Sequence, residues 1–161
     1  MARENVFADL REKYFEIPRP DEVPAPSAAD QAWCAIMEIG YPQAVVTTVA
    51  LSDGTARVLR STGGGFFAAG IVEPVRPAAE GFVEQARLSK VALTPTTQFP
   101  QPEVGHVIFY TRSDVGISSA TATEKDLSSH SHALFPLYFA GLRILHEFLQ
   151  LQKKSEQRQD T

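Results

Sequence analysis

The chain has 161 residues, 43% of them hydrophobic and 21% charged, with a formal net charge of −4. That balance belongs to a soluble globular domain and excludes a general electrostatic attraction to nucleic acid or to an anionic membrane. Cys34 is the single cysteine, so an internal disulfide is excluded, and its apolar neighbours predict a buried, inert thiol.

Met1 to Asn5 leads into charged residues rather than an apolar run, unlike a secretory leader. The longest apolar stretch, Ala133 to Leu149, is broken by Arg143, His146 and Glu147 and falls short of the ~20 residues a membrane span requires. A cytoplasmic location is the expectation.

In residues 2–16, Val6 or Phe7, Leu10 and Tyr14 recur three or four apart, which predicts a short amphipathic helix. Pro18, Pro20, Pro24 and Pro26 forbid its continuation and predict an extended strap. A second helix is expected from Ser27, with Ser27 as cap, Asp30 at the third helical position and an apolar face of Trp33, Ile36 and Met37. Gly40 and Pro42 would stop it.

Gln43 to Thr62 reads as a hairpin, because a β-branched run meets the favoured turn Asp53-Gly54 and Arg57 to Arg60 return. A third helix is predicted from about Glu73 to Lys90, with Pro74 and Pro77 tolerated in its first turn. Three strands follow: Val91 to Thr97, Gly105 to Arg112, and Gly116 to Thr123. The second of these is apolar on both faces, as in a central strand. A long helix from Ser129 or His132 to Lys153 closes the pattern, with a stripe of Leu134, Leu137 or Tyr138, Leu142, Leu145 and Leu149. Pro136 requires either a start near Ala133 or a kink.

Residues 1–26 are thus a helix and strap, 27–153 a single α+β domain, and 154–161 a polar tail. The domain is an antiparallel five-stranded sheet flanked by helices, in the order α-β-β-α-β-β-β-α.

The motif that most invites a chemical reading is Ser61-Thr62-Gly63-Gly64-Gly65. A phosphate loop needs a lysine and a helix N-terminus after its glycines, and here the next lysine is Lys90. The glycines therefore read as a bend where the second hairpin strand leaves the sheet, open to close approach of another backbone. A ligand site near them would use Arg60, Ser61, Thr62, Gly63, Gly64 and His106. Arg57 and Arg60 are three apart on a strand and project to opposite faces. His130 and His132 are two apart, with Glu124 or Asp126 as oxygen donors, but two histidines fall short of a zinc set. No catalytic constellation, metal site or cofactor is expected.

The element order from Ser27 to Gln152 resembles the roadblock/LC7 family, a profilin-like or longin-like α/β sandwich. The nearest local likeness is Gly40-Tyr41-Pro42 followed by Ala44 to Gly54. The resemblance implies a non-enzymatic homodimer that acts as a scaffold or regulator. It places the dimer face on the middle helix and a sheet edge, at Val75, Ala78, Phe82, Ala86, Val91 and Leu93. Two alternatives stand beside it: a small-ligand-binding protein or enzyme with its site near the glycine stretch 61–70, and a secretion-chaperone or immunity-type partner protein.

Overall fold

In the computed structural model, which describes residues 6–67 and 72–159, the segment Cys34–Gly40 is a strand, β1, buried at every position. The expected helix from Ser27 is therefore absent. Ser27 instead donates its hydroxyl to the Gln31 side chain across a short turn. The run from Trp33 to Ile39 is apolar at all but one position, and such a run suits a strand covered on both faces.

Around β1 stand α1 (Val6–Glu16), β2 (Val45–Leu51), β3 (Ala56–Arg60), β4 (Gly65–Phe67), α2 (Val75–Leu88), β5 (Thr94–Pro95), β6 (His106–Ser113), β7 (Gly116–Thr123), α3 (Glu124–Leu127) and α4 (Phe135–Gln159). All pairings are antiparallel, and the sheet order is β4-β3-β2-β1-β6-β7-β5. The protein is thus of the α+β class. Its sheet has six strands of three to eight residues and the two-residue β5, rather than the five expected. The segment expected as a strand over 91–97 is mostly a tight turn, Lys90–Ala92, before β5.

The β2–β3 hairpin and β7 follow the sequence reading. Gly54 takes a φ of +95° in the hairpin turn, where Asp53 accepts a hydrogen bond from the Thr55 amide. The long helix begins at Phe135, so Pro136 lies in its first turn and no kink is needed. It continues to Gln159, and most of the expected polar tail is helix. Thr123 caps α3, its hydroxyl accepting from the Asp126 amide.

One face of the sheet carries Ala35, Met37, Ile39, Val58, Val107 and Phe109, covered by α2 and α4. Phe82 of α2 is fully buried there; truncating such a ring to alanine costs about 3–5 kcal/mol. Gly141 lets α4 settle close, because a Cβ at that position would lie 2.7 Å from the Met37 sulfur. The opposite face carries Cys34, Ile36, Val49, Ile108 and Tyr110. Phe15, Val23 and Trp33, together with Phe99, cover it. The N-terminal helix and strap therefore pack across the sheet. Phe15 stacks on Phe99 with centroids 4.5 Å apart and meets Tyr110 edge-on at 4.9 Å.

Candidate interaction surface

The glycine triplet is the tip of the β3–β4 hairpin. The chain does not leave the sheet there but returns along it, with φ values of +97°, +79° and +142° at Gly63, Gly64 and Gly65. Ser61 Oγ accepts from the Val45 amide at 2.8 Å, and the Gly63 amide donates to the Arg60 carbonyl. At Gly65 the close backbone approach is real, since a Cβ would lie 2.1 Å from the Val58 carbonyl oxygen. Ala68 to Gly70, the end of the predicted stretch, lie outside the described residues.

Arg60 and His106 sit at the same end of the sheet. Register puts Arg60 in line with Val46 on the α2/α4 face, and His106 on the opposite face in step with Glu38 and Ile108. Two strands separate β3 from β6, a span of roughly 14 Å at ordinary strand spacing. Arg60, Ser61, Thr62 and His106 therefore do not converge. Arg57 and Arg60 do project to opposite faces, as the spacing requires.

The paired histidines serve the entry to α4. His132 Nδ1 accepts from the Leu134 amide at 3.0 Å, and the His130 ring lies tilted against Phe135 with centroids 4.4 Å apart. Among the described residues no group of three or more His, Cys, Asp or Glu side chains is placed to hold a metal. Burial pushes the Cys34 thiol up to about 12.

A polar network missed by the sequence reading lies under α1. Glu38, fully buried in β1, is gripped by Arg11 through Nε–Oε2 and Nη2–Oε1 contacts of 2.7 Å each. Thr47 donates its hydroxyl to Oε2 at 2.6 Å. Arg11 also donates to the Phe99 carbonyl, and the Tyr110 hydroxyl to the Pro100 carbonyl. Both carboxylate oxygens are engaged, so Glu38 is committed to holding α1 on the sheet. The signal was a single acid in an apolar run, which needs a cation buried against it. Arg112, also buried, has no carboxylate beside it among the described residues. Its guanidinium lies 4.7 Å over the Trp33 ring and donates to the Tyr14 carbonyl, and burial lowers its pKa below the ordinary arginine value.

Of the residues expected at a dimer face, Val75, Ala78, Phe82 and Ala86 are buried inside the single chain between α2 and the sheet. Leu93 is half-buried against the same core, and Val91 is 98% exposed. The reason lies in helix geometry: the apolar stripe of α2 is consumed by its own sheet.

The terminal helix is different. Leu137, Ala140, Gly141, Ile144 and Phe148 face inward. A second row of Phe135, Phe139, Leu142, His146 and Leu149 runs along the other side, at successive spacings of four, three, four and three residues. Phe139 is 55% exposed and Leu149 47%, while Phe135 and Leu142 are half-buried, with Leu142 packed in part against the chain's own core. Such spacing forms a seam of the kind that packs against another helix.

No helix among the described residues is long and apolar enough to cross a membrane. Neither protein-family models, nor curated proteins, nor solved structures give a match to this chain.

Proposed function

We propose that the protein is a non-enzymatic scaffold or regulatory protein that acts as a homodimer, joined through the outward seam of α4. The observation that carries this reading is the seam itself: Phe135 lies seven residues before Leu142 and Leu149 seven after it. Because the ends of the row stand equally far from Leu142, a second copy can meet it antiparallel, as a two-fold interface demands. Phe135 then packs against the partner copy's Leu149 position, and Leu142 lies on the axis.

Charge supports the same occupant. The last turns of α4 carry Lys153, Lys154 and Arg158 against one acid, Glu156, and its first turn carries no acid. Antiparallel pairing brings the basic end of one helix toward the uncharged end of the other and opposes the two helix dipoles. This reading keeps the homodimer implied by the roadblock/LC7 resemblance and moves its face from α2 to α4.

Sedimentation equilibrium tests it. The wild-type mass should approach twice the 17.6 kDa of one chain. Phe139→Glu and Leu149→Glu should each weaken association roughly thirtyfold or more, the ~2 kcal/mol of a well-packed interface side chain, with the circular dichroism of the folded chain unchanged. A wild-type monomer at high concentration, or a dimer indifferent to both substitutions, would overturn the proposal.

A further inference from the structure

Away from the α4 seam, a cleft of about 250 Å³ lies between the C-terminal end of α2, the end of the strap, and the β6–β7 hairpin. Ala32, Ala86 and Leu93 supply its apolar lining. Its polar wall is Thr111 and Ser118, which are directly opposite each other in the β6–β7 register and so present their hydroxyls on the same face. Both are half-buried, and among the described residues neither hydroxyl has a hydrogen-bond partner. Ser113, by contrast, spends its hydroxyl within the hairpin on the Gly116 carbonyl.

Two cations flank that wall. Arg87 Nε donates to the Ala32 carbonyl at 2.8 Å, which ties the strap end to α2, and one terminal nitrogen stands 3.5 Å from Glu84. Lys90 is paired with Asp30 at the rim. A guanidinium has five N–H donors and an ammonium three, so both groups keep donors to spare. Each cation has one carboxylate neighbour, Glu84 beside Arg87 and Asp30 beside Lys90, of which only Asp30 lines the cleft.

We infer that this cleft binds a small organic oxyanion, a carboxylate or phosphate ester. Its charged end sits on Arg87 and Lys90, and its polar oxygens meet Thr111 and Ser118. The volume holds roughly eight water-sized groups, which suits an acid or ester of three or four carbons. Lys90 is mostly exposed, and the incoming anion takes over the place of the Asp30 carboxylate on it. The inference is independent of self-association, because it uses none of the α4 seam.

The test is an amide-resolved NMR titration with malate and with glycerol 3-phosphate, and with glycerol as the uncharged control. Saturable shifts confined to residues 28–32, 87–93 and 111–118 are expected with one or both anions, and none with glycerol. The anion that saturates identifies the charged group. Lys90→Ala and Ser118→Val should each weaken binding about tenfold, the ~1.4 kcal/mol of one good polar contact, at unchanged thermal midpoint. Absence of saturable shifts with either anion at millimolar concentration overturns the inference. So do shifts that survive both substitutions unchanged.

Discussion

Arg11 and Glu38 meet as a parallel, two-point pair, with both N···O distances at 2.7 Å and the carboxylate wholly shielded from water. The pair joins the N-terminal helix to the middle strand of the sheet, 27 residues away in sequence. Removing one partner strands a charge in the interior, which costs about 3–5 kcal/mol. Arg11→Met should therefore destabilise the protein by about that much in urea unfolding. The double variant Arg11→Met with Glu38→Leu should recover most of the loss, because the buried charge disappears with its partner. A single-variant cost under ~1 kcal/mol, the range of exposed pairs, would show that the pair does not hold α1 in place.

The three glycines of the β3–β4 hairpin should respond unequally to alanine. At Gly64 a Cβ would meet nothing within 4 Å, and only the φ of +79° opposes it. That left-handed conformation costs an ordinary residue about 1–2 kcal/mol. At Gly65 the φ of +142° lies farther from any conformation open to an ordinary residue, and a Cβ would also lie 2.1 Å from the Val58 carbonyl oxygen, which only backbone movement can relieve. Gly65→Ala should cost more than twice as much as Gly64→Ala in chemical denaturation. Equal costs would mean that the strand pairing at Val58 yields freely.

Stability should fall in alkali. Burial raises Cys34 from 9.0 to about 12, and raises Tyr110 and Tyr138 from 10.0 to about 12. A group whose folded pKa lies above its unfolded value contributes fully below the unfolded value and loses that contribution as pH rises to the folded one. The losing window therefore runs from about pH 9 to about pH 12. Tyr138 adds repulsion, since its hydroxyl donates to Glu124 at 3.3 Å and a tyrosinate there would face a carboxylate. The urea midpoint should drop steadily across that window, and Tyr138→Phe should flatten the drop. A midpoint constant through the window would contradict the assignment.

Cys34 should be silent to thiol reagents in the folded protein. It is 1% exposed and its thiolate is disfavoured by burial. Labelling by an aromatic disulfide should then proceed only through opening of the core, at a rate that tracks global unfolding as denaturant is added. Rapid labelling in native buffer would indicate that α1 and the strap lift readily from the sheet.

The elements that were legible in the sequence are those whose pattern has one solution. Asp53-Gly54 between β-branched runs admits only a tight hairpin, and the alternation from Gly116 to Thr123 reads only as a strand. Trp33 to Gly40 was not legible, because a run apolar at nearly every position satisfies the helical period and the strand period alike. Trp33, Ile36 and Met37 match a helix face, while Cys34, Ala35 and Ile39 between them fill the other side. Only the cover on both faces, by α2 and α4 on one and by α1 with Phe99 on the other, selects the strand. Rejection of a phosphate loop at Gly63 to Gly65 needed no structure, since the missing lysine and helix are sequence facts. The failure of Arg60 and His106 to meet did need it, because strand order and facing are not local properties.

By itself, then, the sequence determined the α+β class of the protein, the β2–β3 and β6–β7 hairpins, the long terminal helix and the burial of its thiol, all of which follow from local spacing and polarity. Tertiary structure decided which stripes were consumed and which were left over. Val75 and Phe82 of α2 became core because the sheet claimed them. Phe139 and Leu149 of α4 stayed in contact with water because the inward side of that helix, from Leu137 to Phe148, had already filled the space above Met37. Apolar side chains look alike along a chain; only packing density, which admits one layer of them between helix and sheet, determines which remain for a partner.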